Sequence, residues 1–534
     1  MISARRFLVV LTATAVLIGG WLLASRASND PQSAKSEAAT SVAASNASAS
    51  TSPSDSVLTK EIDRIIAESD AAHARWGVFI VSTKDGRVLS SRDGDRLFTP
   101  ASNMKIFTTA VALDVLGADY RWRTSVYSVR PLDANGVVDG DLTLYGRGAP
   151  DFDSKAKGGL PALVDQLYER GLRRVRGSVI GDESYFRAET YAVGWQWNDL
   201  QWYYGAEPSA LTIDENSVEV TIAPAPKGGS AASVVVNPDD KYVRLTNNTT
   251  TGERDAITSI GIQRGLSNND LQVWGEFPAS GRSFSAFLSV HDPALHAATI
   301  FKRLLTARGI QVDGDVRSRD FRVAEADRFD PQTAVELANT ESAPLSEIVR
   351  VTNKESNNLF AELLLRTVGK ERGATVPDPD PRRNATRGDD AAGAAVVKKW
   401  LSDHGVVVRH LAIHDGSGLS RLDLITPESA VRLLIAIEKS SAATAFRNSL
   451  PVAGRDGTLR GRLQTLAGRV SAKTGYLTYT HALSGYISAD GGEELAFSVI
   501  CNDAVGRGHP GQVLDEIVRR MAQSAKVGTS KAPK

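Results

Sequence analysis

The sequence predicts an α/β protein in which one domain, a sheet flanked by helices, is built from both ends of the chain and split by a long β-rich insertion. Three observations predict it. A helix-then-hairpin pattern opens the folded part near Val57, and a hairpin-then-helix pattern closes it near Gln523. Between about Asp119 and Glu325 the chain breaks into short strand-like runs separated by Gly, Pro, Asp and Asn.

The elements follow in order. Arg5 and Arg6 precede an uncharged stretch, Phe7 to Ala24, with small residues at Ser25 and Ala27. This reads as an export segment, residues 1–27, either cleaved after Ala27 as a signal peptide or kept as a membrane anchor. Residues 28–56 are almost wholly Ser, Ala, Thr, Asn and Pro, which predicts a disordered tether because too little apolar surface is present to offset ordering. Leu58, Ile62, Ile65 and Ile66 share a helical face, and Trp76–Val81 and Arg87–Leu89 form a hairpin around Lys84-Asp-Gly86. A strongly apolar helix runs from Met104 to Gly117.

In the insertion, 140–145, 216–222, 232–236 and 242–246 read as strands. Helical spacing returns at 345–351, 359–368, 392–404 and 427–438, and a final hairpin (482–487 with 494–500) precedes a helix at 511–523. Residues 57–120 and 326–523 are therefore expected to form one α/β domain, 121–325 a β-rich insertion into it, and 377–381 and 524–534 a loop and a flexible tail.

Composition excludes several classes. The 534 residues carry 62 Lys+Arg against 62 Asp+Glu, and losing the export segment leaves the chain only slightly acidic, so no nucleic-acid-binding surface is expected. A single cysteine, Cys501, forms no internal disulfide and reads as a small core residue of a buried strand. The eight histidines show no metal-type spacing, so neither metal nor cofactor is expected.

The chemistry lies in three short motifs in one order: Ser102-Asn-Met-Lys105, Ser356-Asn-Asn358 and Lys473-Thr-Gly475. Each alone is weak evidence. In Ser102-x-x-Lys105, however, the serine follows Pro100-Ala101 at the start of an apolar helix, where positions i and i+3 share a face. A serine hydroxyl needs a base, and lysine serves as one when burial or another cation keeps it neutral. Lys105 would take the proton while Lys473, with Thr474, attracts an anionic substrate group. Ser356 would relay a proton to the leaving amine, and Asn358 would orient Lys105 and the substrate amide. Gly475 would leave room for substrate on an edge strand along which a peptide could align.

These motifs are the signature of penicillin-binding proteins and serine β-lactamases. The chain further resembles the D-alanyl-D-alanine carboxypeptidase/endopeptidase family of low-molecular-mass class C penicillin-binding proteins, over nearly all of Val57 to Gln523. The supporting stretches are 99–110, Gly194-Trp-Gln-Trp197, Pro208-Ser-Ala-Leu211, Asp415-Gly-Ser-Gly-Leu-Ser420, Leu450-Pro-Val-Ala-Gly454 and Asp456-Gly-Thr-Leu459. The first two motifs stand 254 residues apart and the last two 117, a gap that a simple β-lactamase lacks and that this family fills with extra domains.

The resemblance implies that 57–120 and 326–523 form a catalytic penicillin-binding-protein/β-lactamase-like transpeptidase domain and that 121–325 is an insertion of two domains. It implies acylation of Ser102 by a peptidoglycan stem peptide ending in D-Ala-D-Ala, hydrolysis by water, covalent trapping by β-lactam antibiotics, and a place in the periplasm or on the outer face of the membrane. One departure matters: where the family often has Ser or Thr after Lys-Thr-Gly, this chain has Tyr476. Its N–H still suits an oxyanion hole with that of Ser102, but a phenol at the end of a long ring replaces the short Ser/Thr hydroxyl, which weakens recognition of a terminal carboxylate and favours cross-link cleavage.

Two other function classes compete. A β-lactamase-like or esterase hydrolase would use the same site but has no need of the insertion; a non-catalytic wall-binding scaffold would show a degraded motif, and none is degraded. Trp195, Trp197, Trp202, Tyr203 and Tyr204 are expected to pack a domain junction rather than stack on substrate, and Asp415 and Asp456 to cap Gly-rich turns. His481 is not needed as a base.

Overall fold

The computed structural model describes residues 53–239, 241–324, 327–377, 387–506 and 508–524. The expected export segment 1–27, the tether up to residue 52, most of the loop 377–381 and all but Ser524 of the tail lie outside the described residues.

The first helix is Pro53–Ala67, starting four residues before Val57. Pro at the first helical position needs no partner for its missing N–H, so the Pro53-Ser-Asp start suits a helix better than the tether its composition suggested. Leu58, Ile62 and Ile66 are buried, the face read from their spacing.

Both ends of the chain meet in one antiparallel five-stranded sheet, ordered Val470–Leu477, Thr480–Ser488, Glu494–Asn502, Arg75–Ser82, Val88–Arg92. The central seam pairs Arg75 with Asn502 and runs to Ser82 with Leu495. Alternation along these strands divides their side chains between two cores. Trp76, Val78, Ile80, Phe497, Val499 and Cys501 pack with the first helix and the last, Pro510–Gln523. Phe79, Val81, Ala496 and Ile500 pack with the helices Met104–Leu116 and Pro427–Ile437. Cys501 is fully buried, and burial pushes its thiol up to about 12, so it is the inert core residue expected.

In Met104–Leu116 every residue from Met104 to Leu113 is buried. A helix apolar all round must lie inside the protein, and this one carries Lys105 inward with it.

The insertion holds a mixed five-stranded sheet, Val316–Arg319, Val179–Asp182, Leu142–Tyr145, Arg123–Ser128, Val335–Glu341, and three three-stranded sheets. Two of the latter enclose a small core of Val218, Val220, Ile222, Leu271, Val273 and Leu288. Two helices, Leu160–Glu169 and Pro293–Ala307, also belong here. Turn-like residues surround them and hide them in the sequence, although Leu160, Leu163, Val164 and Leu167 carry the helical period. Val335–Glu341 pairs with Arg123–Ser128, so the insertion's sheet draws a strand from beyond residue 326.

Among the described residues no helix is long and apolar enough to cross a membrane.

Candidate active site

Ser102 occupies the one-turn 3-10 helix Ala101–Asn103 that leads into Met104–Leu116. Ala101 takes a left-handed φ of 48°, a conformation that costs an L-residue energy and persists where surrounding packing imposes it. The turn lies against the edge strand Val470–Leu477, where Asn103 Nδ2 donates to the Lys473 carbonyl at 3.0 Å.

Gly475 on that strand permits the contact. A Cβ there would lie 2.8 Å from the Pro100 carbonyl oxygen and 3.0 Å from Asn103 Nδ2. The glycine expected to make room for substrate thus makes room for the nucleophile's own turn. Gly475→Ala is expected to push turn and strand apart and cut penicillin acylation by about 10²-fold, the cost of misplacing reacting groups by an ångström. Stopped-flow acylation alongside a melting curve checks this; an unchanged rate would show the contact to be irrelevant.

Lys105 is fully buried, and its amine has three neighbours: Ser102 Oγ at 3.0 Å, Asn358 Oδ1 at 2.6 Å and the Ser417 carbonyl at 2.8 Å. Asn358 is fixed in turn, its Nδ2 donating to the Tyr204 carbonyl at 2.8 Å. Two of Lys105's three neighbours are therefore pure acceptors. A neutral amine has two N–H groups and one lone pair, so satisfying both acceptors leaves the lone pair facing the Ser102 hydroxyl. Burial lowers the Lys105 pKa from 10.5 to about 7, against the pull of Asp415 and Glu362, which favour the cation.

Ser356 is the single residue between the helices Leu345–Lys354 and Asn358–Arg372 that is not itself a cap, and it takes a left-handed φ of 59°. Its hydroxyl accepts from Lys473 Nζ at 2.8 Å, and Lys473 also donates to the Thr474 carbonyl at 2.9 Å. Lys473 is fully buried, and burial, with Lys105 beside it, draws its pKa well below the usual lysine value. The resting site thus disfavours the cation that would attract an anionic group at Lys473, chiefly because burial strips the ammonium of water and secondly because Lys105 lies beside it.

Thr474 Oγ1 donates to Thr458 Oγ1 at 2.7 Å, and the Thr458 turn is pinned by Asp456, whose carboxylate takes the Lys354 amine at 2.7 and 2.8 Å and the Val452 N–H. Asp456 is thus a turn anchor. Asp415 caps its own turn, accepting from Gly418 N, Ser420 N and Ser417 Oγ, and also takes Trp195 Nε1 at 2.9 Å from the insertion.

Tyr476 is 66% exposed and meets His481 edge-on, ring centroids 5.0 Å apart. Burial lowers the His481 pKa to about 4, so the ring is neutral near neutral pH. Of the aromatic group, Trp195 and Tyr204 brace the site, Trp202 packs on the insertion's small core, and Trp197 and Tyr203 are exposed. Among the described residues no cluster of three or more His, Cys, Asp or Glu is arranged to hold a metal ion.

The pattern of the D-Ala-D-Ala carboxypeptidase 3 (S13) family matches residues 58–524. The chain belongs to this family. Like other S13 members it is a peptidase hydrolase. A D-alanyl-D-alanine carboxypeptidase of an Actinomadura species is 36% identical over 88% of this chain and 85% of its own length. D-alanyl-D-alanine carboxypeptidase DacB of Haemophilus influenzae is 26% identical over 80% and 85%. In structure, penicillin binding protein 4 of H. influenzae superposes with a TM-score of 0.73 at 23% identity, covering 87% of this chain and 99% of that one. The fold is thus the penicillin-binding-protein-like α/β fold expected, and a second structure of that protein, with a TM-score of 0.68 at 23% identity over 86% of this chain and 97% of that one, holds a β-lactam.

Sequence reasoning did not find Ser417, Tyr204 and Thr458 as parts of the S13 site. The first two act through backbone carbonyls, which carry no residue-type signature. Ser417 and Thr458 lie within Asp415–Ser420 and Asp456–Leu459, but the link of Thr458 to Thr474 depends on a contact across 16 residues of chain.

Proposed function

We propose that this S13 peptidase is a D-Ala-D-Ala carboxypeptidase and DD-endopeptidase that acts on peptidoglycan stem peptides through a Ser102 acyl-enzyme. The observation that carries the reading is the Lys105 amine held between two acceptors and one hydroxyl. Lys105 takes the Ser102 proton as Oγ attacks the D-Ala carbonyl carbon, and the oxyanion is held by the Ser102 and Tyr476 N–H groups. The C–N bond breaks as the Ser356 hydroxyl passes a proton to the leaving amine and recovers one through Lys473, which receives the proton that Lys105 took from Ser102. Water then hydrolyses the ester, releasing the shortened peptide as a carboxylic acid and restoring Ser102. An anionic substrate group near Lys473 would offset its burial, so the charge expected of Lys473 arises on binding.

A β-lactam fits the same path: its ring amide opens onto Ser102, and the amine stays tethered to the acyl group. With its peptidoglycan substrate and the export pattern at 1–27, the enzyme acts outside the cytoplasm, periplasmic or at the outer face of the membrane. The catalytic domain comprises the two flanking parts of the chain, with the insertion between them bracing the site through Tyr204 and Trp195.

Digestion of purified muropeptides, monomeric and cross-linked, with product masses read, tests this. Release of D-Ala from monomers, separation of cross-linked strands, or both, is expected. Turnover of simple esters or β-lactams with neither muropeptide cut would overturn it.

The acylation rate is also expected to depend on pH. The base works in its neutral form, so the rate rises with pH through about 7 and then levels off. A limb near 10 would mean that burial does not lower Lys105.

A further inference from the structure

Around Lys105 the fold buries three carboxyl groups that the acylation steps do not use: Glu362, Asp415 and Asp423. Asp415 is accounted for by its turn and Trp195. Asp423 accepts from His414 N at 2.6 Å.

Glu362 differs from both. It lies four residues after Asn358 on the same helix, so both project from one face. Its Oε1 accepts the N–H groups of Gly416 at 3.0 Å and Ser417 at 2.9 Å. The carbonyls of the same two residues reach the nucleophile's helix: Ser417 O accepts from Lys105 Nζ, and Gly416 O accepts from Thr108 Oγ1 at 2.8 Å. The turn is pressed onto Glu362's helix, since a Cβ on Gly416 would lie 2.4 Å from the Ala361 carbonyl oxygen. Glu362 Oε2 is buried with no hydrogen-bond partner, as is Asp423 Oδ2, so what sets Glu362 apart is its hold on the turn that carries the Ser417 carbonyl. Burial and Asp415 push the Glu362 pKa up to about 8, so the resting group is the neutral acid.

We propose that Glu362 is a positioning residue for the base: it holds the Gly416–Ser417 backbone so that the Ser417 carbonyl stays an acceptor for Lys105 and the amine's lone pair stays turned toward Ser102. This rests on the reading of Lys105 as the base. The groups that face Lys105 are Ser102 on its own segment, Lys473 from the edge strand, Asn358 and Glu362 from the helix Asn358–Arg372, and Asp415 from the turn; Asp423 acts through Asp415 and Glu362, and Arg366 through Glu362.

The test is penicillin acylation by the full chain across pH, with noncovalent affinity measured separately. Glu362→Leu is expected to lower the plateau rate by about 10²-fold with affinity unchanged. Its acid limb moves to lower pH, because both the Ser417 carbonyl and any Glu362 charge favour protonated Lys105. Glu362→Gln, which keeps an acceptor for the two N–H groups, is expected to recover most of that loss. Leu364→Ala, a buried truncation on the same helix, is expected to lower the melting temperature while leaving limb and plateau in place. If the leucine variant does not fold, Glu362→Asp carries the test: it keeps the acid but withdraws it by one methylene, and a loss of about tenfold is expected.

Wild-type acylation by the Leu or Asp variant, failure of Gln to recover the rate, or the same limb shift in Leu364→Ala would overturn the inference. Lys105→Ala, run in parallel, separates the two readings: normal acylation there removes the base itself, whereas lost acylation there with an unaffected Glu362→Leu removes only the positioning role.

Discussion

Ser102→Ala gives a folded protein that forms no covalent adduct with a fluorescent penicillin and releases no product from monomeric or cross-linked muropeptides. The physical case has two parts. Among the described residues the hydroxyl is the only group within hydrogen-bond reach of Lys105 that can form an ester, since Lys105's other two partners are the Asn358 amide oxygen and a backbone carbonyl. Deleting the hydroxyl also leaves Lys105 with both acceptors, so the buried amine stays satisfied and the stability change is about 1 kcal/mol or less. Gel fluorescence with intact-protein mass, beside a melting curve, measures both. Labelling at the wild-type stoichiometry would remove Ser102 as nucleophile.

Lys105→Ala acylates more slowly by about 10²- to 10⁴-fold, the range set by losing a positioned general base. Noncovalent affinity is expected to hold, because Lys473, Thr474 and the edge strand do not depend on the Lys105 amine for their own hydrogen bonds. The residual rate loses its limb near pH 7, since the group that titrates there is gone. Truncating a buried side chain also lowers stability. The decisive comparison is therefore the pH profile: a limb that survives near 7 would assign the base to another group.

Lys473 separates what the sequence shows from what it hides. Its motif and order were legible, and so was a need for two lysines near one serine. Its charge was not, because whether an amine is protonated depends on burial and on the neighbouring amine, and both arise only when the edge strand and the helix Met104–Leu116 come together. Gly475 repeats the lesson. The sequence marks a glycine in a strand, but the reason for it, the Pro100 carbonyl 2.8 Å from where a Cβ would sit, is a contact across the fold.

The elements were legible for a simpler reason. The continuous apolar run in Glu494–Asn502, buried on both faces, and the 3.6-residue spacing of Leu58, Ile62 and Ile66 are local records of burial. The insertion's two helices were harder to see because strand-like and turn-like neighbours mask a short helical period.

By itself the sequence determined the α/β class, the pairing of the two chain ends across a long insertion, the family and the residue types of Ser102, Lys105, Ser356, Asn358 and Lys473. Each of these follows from side-chain identity and spacing along the chain. Only the tertiary structure decided which way the Lys105 lone pair points, that Ser417 and Tyr204 support it through backbone carbonyls, and that Glu362 lies behind that support. Hydrogen-bond direction and desolvation belong to groups brought together from distant parts of the chain, and no local pattern records them.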